Sequence, residues 1–185
     1  MPLDSKQNIS REKRHGLVIV NTGNGKGKTT AALGTAFRSL GWGWKVLMIQ
    51  FIKGSWNPGE KRFIKSNNFS MDILSMGHGF TWESKDLEQD KRACEEAWNL
   101  VADNISTDKY DLIILDEINI ALSLGYLKLE PVLDLLKKRP QWLHVILTGR
   151  NAPDGLKEYA DLVSEIKAVK HPFDKGIKAQ KGIDF

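Results

Sequence analysis

The run LVIV at residues 17–20 leads straight into NTGNGKGKTTAALG, and no other stretch limits the fold of this chain so tightly. Glycines at 23, 25 and 27 free the backbone for positive φ angles, so several N–H groups can turn inward as a nest for anionic oxygens at the start of a helix. Lys28 adds a point charge, and Thr29 and Thr30 add hydroxyls. Counting back from Lys28, the pattern Gly-x-x-x-x-Gly-Lys-Ser/Thr puts Thr22 where the first glycine usually stands. An apolar strand, a glycine-rich loop and a helix in that order form a phosphate-gripping unit, and such a unit belongs to a sheet flanked by helices.

The rest of the chain repeats the alternation. Apolar runs at 17–20, 45–51, 69–76, 112–115 and 144–148 read as strands, and amphipathic stretches at 28–40, 58–65, 86–105, 131–138 and 154–159 read as helices. Runs such as LIIL at 112–115 show no polar alternation, as expected of strands buried on both faces of a parallel sheet. The expected fold is therefore α/β, a P-loop NTPase-like three-layer α/β/α arrangement with a mainly parallel central sheet. Residues 1–15 read as a polar, frayed N-terminal arm and residues 16–185 as a single domain.

Ligands of open parallel sheets gather at the carboxyl ends of the strands. The chemically suggestive segments, 22–30, 53–60, 77–83, 116–117 and 149–150, all follow predicted strands, which points to one composite site. An excess of four positive charges, from 27 basic and 23 acidic residues, does not call for nucleic acid or a membrane and favours a small anion such as polyphosphate. The single cysteine, Cys94, excludes an internal disulfide and a cysteine metal cluster. With no apolar run near the ~18 residues that span a bilayer, and no signal-peptide pattern, a cytoplasmic setting is expected.

The candidate ATP-binding residues are Thr22, Gly23, Asn24, Gly25, Lys26, Gly27, Lys28, Thr29 and Thr30, with Arg38 and Arg150 as reinforcing cations. Thr29, with Asp116 or Glu117 from LIILDE, offers hard oxygen ligands for Mg²⁺. No glutamine or arginine finger stands out to orient an attacking water, and Thr22 alters the usual loop entrance. On the residues alone, a P-loop kinase or ATPase and a non-catalytic ATP-binding protein stay open beside a different use of ATP.

The segments TGNGKGKTTAALG, QFIKGSWNPGE, GHGFTWE, LIILDE, LTGR and VKHPFDKGIKAQKGIDF, in that order, resemble the corrinoid adenosyltransferases of the ATP-dependent, cobalamin-producing type. The resemblance runs from about residue 16 to residue 185. It implies that ATP gives its 5′-deoxyadenosyl group to the reduced cobalt of a corrinoid, cob(I)alamin or a cob(I)yrinic acid a,c-diamide precursor, and that triphosphate leaves. It further implies that Lys28 stabilises the leaving group and that Phe80 and Trp82 expel the axial base of the cobalt. Trp56 and His78 would line the corrin, and the residues after His171 would form an ordered tail. A reduced flavoprotein as electron donor and a homodimer follow from the same resemblance, which also adds a corrinoid carrier to the non-catalytic reading.

Overall fold

In a computed structural model, which describes residues 10–52, 58–76 and 87–184, each of the five apolar runs forms a strand, and a sixth strand joins them. The strands are β1 (Val18–Thr22), β2 (Val46–Gln50), β3 (Met71–Ser75), β4 (Leu112–Asp116), β5 (His144–Thr148) and β6 (Leu162–Glu165). They form one sheet in the order β3-β2-β4-β5-β1-β6, with every neighbouring pair parallel. The helices are α1 (Lys28–Gly41), α2 (Gly59–Asn67), α3 (Leu87–Ile105), α4 (Ile118–Ser123), α5 (Leu129–Lys138) and α6 (Asp154–Tyr159).

Alternate side chains of each strand point to opposite faces, so a strand made wholly of apolar residues needs cover on both. Val18, Val20, Leu47, Ile49, Ile113, Leu115, Val145 and Leu147 pack on one face with Ala97 and Val101 of α3, Val132 and Leu136 of α5, and Leu156 of α6. Val46, Met48, Leu112, Ile114 and Ile146 pack on the other with Ala32 and Ala36 of α1, and Ile64 of α2 adds partial cover. The small side chains of Ala32 and Ala36 let α1 lie close against the strands. Burying each strand leucine, isoleucine or valine contributes roughly 1.5–3 kcal/mol. The fold is the expected three-layer one.

Two elements lie outside the sequence expectation, β6 and the six-residue α4, and α5 starts at Leu129 rather than at residue 131. Pro131 fits inside the first turn of α5 because the N–H it lacks has no intrahelical partner there. The arm expected to fray over residues 1–15 is fastened along its second half. Arg11 Nε and Arg14 Nη1 both donate to Asp111 Oδ1, at 2.8 and 2.9 Å. The two guanidinium groups lie over Trp142 and Trp44, 4.5 and 3.9 Å from the ring centroids. Asp111, Trp44, Trp142 and His144 stand at the amino ends of the strands, so the charges that read as solvated in sequence are sewn to the sheet edge opposite the carboxyl ends.

Candidate active site

Parallel register brings the last residues of the strands to one edge: Gln50 pairs with Asp116, Asn21 with Thr148, and Thr22 with Glu165. The glycine-rich loop leaves β1 here. Gly27, at φ 121°, is the N-cap of α1, a conformation that a side chain rarely adopts. Lys28, the first residue of α1, is buried and its Nζ donates to the carbonyl of Gly25 at 2.6 Å. Burial pushes the Lys28 ammonium pKa down; Glu117 pulls it back up and Arg150 pushes it further down, so these three charges share one neighbourhood.

Behind the loop lies a closed hydroxyl–carboxylate lattice. Thr29 Oγ1 and Thr148 Oγ1 both donate to Asp116 Oδ1 at 2.8 Å, and Gln50 Nε2 donates to Asp116 Oδ2 at 3.2 Å. Asp116 is buried, and its oxygens orient Thr29 from behind. Glu117 is the residue that faces the open space. It takes a left-handed conformation, φ 63°, as the N-cap of α4, and its N–H donates to Thr148 Oγ1 at 3.0 Å. A non-glycine residue held in that region points to a functional constraint. Gly149, at φ 128°, makes room for it, since a Cβ there would come within 3.0 Å of Glu117 Oε2 and of Asn119 Cβ.

A cavity of about 300 Å³ opens in front of this lattice, lined by residues 24–30, Glu117, Ile120 and Arg150, and by His171, Ile183 and Asp184 from the tail. The tail therefore forms part of the site wall. It crosses the loop at Ile166, whose carbonyl accepts the Gly25 N–H at 2.7 Å and whose own N–H donates to the Thr22 carbonyl at 2.8 Å. A Cβ at Gly23 or Gly25 would meet the Ile166 carbonyl at 2.5 or 2.7 Å. These two glycines thus make way for the chain itself, and the Gly25 amide expected in the phosphate nest is occupied by the tail. Lys26 and Asp184 form an ion pair that ties the tail's far end to the loop.

The structure sorts the sequence candidates. Asn24, Gly25, Lys26, Gly27, Lys28, Thr29, Thr30, Glu117 and Arg150 meet around the cavity, with Gly23 under the crossing tail. Thr22, expected among the ATP-binding residues, does not line it; its buried hydroxyl accepts the Ala152 N–H at 3.2 Å. Asp116 holds Thr29 rather than facing the cavity. Arg38 lies exposed in the last turn of α1. Ten residues of helix place it about 15 Å along the axis from Lys28, which keeps it apart from the loop. Trp56, His78, Phe80 and Trp82 lie outside the described residues. Sequence reading did not place Gln50, Thr148, Asn119 or Asp184 at the site, and it took His171 and Ile183 as parts of an ordered tail rather than of the cavity wall. Gln50 carried a signal, a polar residue closing an apolar strand; the tail's only signal was the family resemblance of its last residues, which does not say that they wall the cavity.

The family model for ATP:corrinoid adenosyltransferase BtuR/CobO/CobP matches residues 14–185. The chain belongs to that family. A corrinoid adenosyltransferase of Pseudomonas aeruginosa is 44% identical over 183 residues, spanning 99% of this chain and 90% of its own length. That of Escherichia coli K12 is 43% identical, with 99% and 92% covered, and the corrinoid adenosyltransferase CobA of Salmonella typhimurium is 42% identical with the same coverage. Among solved structures, the flagellar accessory protein FlaH of Methanocaldococcus jannaschii superposes with a TM-score of 0.55 at 14% identity, covering 85% of this chain and 78% of that one. The RadB recombinase superposes at 0.51 and 15%, with 85% and 77% covered. At such identities the likeness speaks for the fold alone, the P-loop NTPase-like one. Membership of the family makes the protein a transferase that adenosylates corrinoids. No helix among the described residues is long and apolar enough to cross a membrane.

Proposed function

We propose that this enzyme moves the 5′-deoxyadenosyl group of ATP onto the reduced cobalt of a corrinoid and releases inorganic triphosphate, in cobalamin biosynthesis or salvage. The observation that supports this most directly is the cavity in front of α1, where Lys26, Lys28 and Arg150 converge with the loop under a roof made by the tail. A phosphate chain laid there has cations on two sides. In the reaction, the cobalt(I) electron pair forms a bond to C5′, the C5′–O bond breaks, and the bonding electrons leave with the triphosphate. Lys28, with its solvation already stripped by burial, and Arg150 stabilise the charge that builds on that leaving group.

The donor set suits Mg²⁺: the Thr29 hydroxyl, fixed by buried Asp116, and the Glu117 carboxylate are hard oxygen ligands. Among the described residues, no group of three or more His, Cys, Asp or Glu side chains forms a site for a metal held by protein alone. That agrees with an ion that shares its coordination with phosphates and water. When bound, Mg²⁺ would neutralise part of the triphosphate charge. By family resemblance, Phe80 and Trp82 displace the axial base of cobalt(II), Trp56 and His78 meet the corrin, a reduced flavoprotein supplies the electron, and the enzyme works as a cytoplasmic homodimer.

Incubation with ATP, Mg²⁺ and a corrinoid under strong reductant should give the light-sensitive adenosylcorrinoid spectrum and one triphosphate per product. Orthophosphate or ADP as the released species, with no change at cobalt, would instead make the protein a hydrolase or kinase.

A further inference from the structure

Thr22 stands where three segments distant in sequence meet. Its carbonyl accepts the Ile166 N–H at 2.8 Å, and its hydroxyl oxygen accepts the N–H of Ala152, 130 residues further on, at 3.2 Å. Both Thr22 and Ala152 are buried, so no bulk water replaces that bond. The loop that ends at Ala152 carries Arg150. Its other end is fixed at Gly149, whose N–H donates to the Asn21 carbonyl at 3.2 Å and whose carbonyl accepts Asn119 Nδ2 at 3.1 Å. Between the two anchors lie only Arg150 and Asn151, and Asn151 takes a left-handed conformation with φ 56°. Arg150 therefore projects from a two-residue span clamped at both ends.

A glycine at position 22 would leave one clamp. It has no hydroxyl, so the buried Ala152 N–H would lose its acceptor and the span would be held at Gly149 alone. We propose that Thr22 is a positioning residue, and that its hydroxyl aims the Arg150 guanidinium into the phosphate cavity. The departure from the usual glycine is then a device for setting a cation rather than a flaw in the loop. The inference rests on the reading of the cavity as the triphosphate site.

The test is a double-mutant cycle read as triphosphate affinity by calorimetry, with KM for ATP and kcat measured in parallel. Thr22→Val keeps the branched shape and removes the hydroxyl, and Thr22→Ser keeps the hydroxyl. Loss of one neutral hydrogen bond's worth of alignment should weaken triphosphate binding and raise KM by about three- to tenfold in Thr22→Val, with Thr22→Ser close to the parent. Added to Arg150→Ala, the valine should cause no further loss. Equal weakening by Thr22→Val with and without Arg150 overturns the positioning role, as does parent-like binding in Thr22→Val. An Arg150→Ala enzyme that binds triphosphate as well as the parent instead refutes the reading of the cavity, a distinguishable failure.

Discussion

The two ends of the sheet carry the same kinds of side chain and use them in opposite ways. At the amino ends, Arg11 and Arg14 converge on Asp111, which also accepts the Lys45 N–H at 2.9 Å, while Trp44 stacks on His144 with ring centroids 5.2 Å apart. Burial alone would raise the Asp111 pKa, but the hydrogen bonds from Arg11, the Lys45 amide and Arg14 outweigh it and hold the group at about 2. At the carboxyl ends, Lys28 and Arg150 face a cavity and Lys28 rests on a loop carbonyl. At the amino ends both arginines already have a carboxylate built into the chain, whereas at the carboxyl ends Lys28 and Arg150 line an open cavity. A charge does structural or chemical work according to whether its partner is already built into the chain.

Removing a cation at the carboxyl ends should then abolish chemistry with little loss of stability. Lys28→Ala is expected to lower the adenosylation rate by about 10²–10³-fold, the scale of losing one charge-stabilising donor, with a nearly parental melting temperature. The amino ends should answer in reverse. Asp111→Ala leaves two guanidinium groups and a backbone N–H without their acceptor, and should cost about 3 kcal/mol. For a chain of this size that is a fall in Tm of roughly 6–12 °C, with turnover at low temperature unchanged. If Asp111→Ala instead slows turnover before it melts, the two ends are not separate in their roles.

A third substitution tests the seam between loop and tail. Gly25→Ala puts a methyl group 2.7 Å from the Ile166 and Lys167 backbone, so the tail must shift. The expected destabilisation is about 1–3 kcal/mol, with faster tryptic cleavage after Lys167. An unshifted digestion pattern would show that the glycine serves the nucleotide and not the tail.

The smallest effect concerns pH. Burial lowers the His144 pKa from its ordinary 6.5, Arg14, Arg139 and His15 lower it further, and Asp111 partly opposes them. A depressed histidine pKa means the unfolded chain binds the extra proton first. Stability is therefore full above about pH 6.5 and declines as the pH falls below it. The Asp111 contribution, present above pH 3.8, is lost separately as the pH falls toward about 2. Chemical denaturation across this range should show two acid steps, and His144→Gln should remove only the upper one.

The sequence disclosed what local physics dictates. Strands buried on both faces appear as unbroken apolar runs, so β1 to β5 were legible to within one or two residues. β6 was not, because an edge strand such as LVSE pairs with a single neighbour and leaves its side chains exposed, so little hydrophobic pattern is required of it. α4 was hidden because INIALS continues the apolar run of β4 with only two residues between the strand core and the helix. The phosphate loop was readable from its glycines, yet the reason for two of them, the passage of Ile166, is a long-range contact that no local spacing encodes. Thr22 announced itself as an irregularity and needed the position of Ala152 to become intelligible.

The crossing at Ile166 also orders events in time. The loop leaves the ribosome about 140 residues before the backbone that completes it, a delay on the order of ten seconds. During that interval the nascent chain carries a glycine-rich anion trap with no cover. The cavity is therefore walled by chain made long after its loop, so its cover forms only once that later segment has emerged.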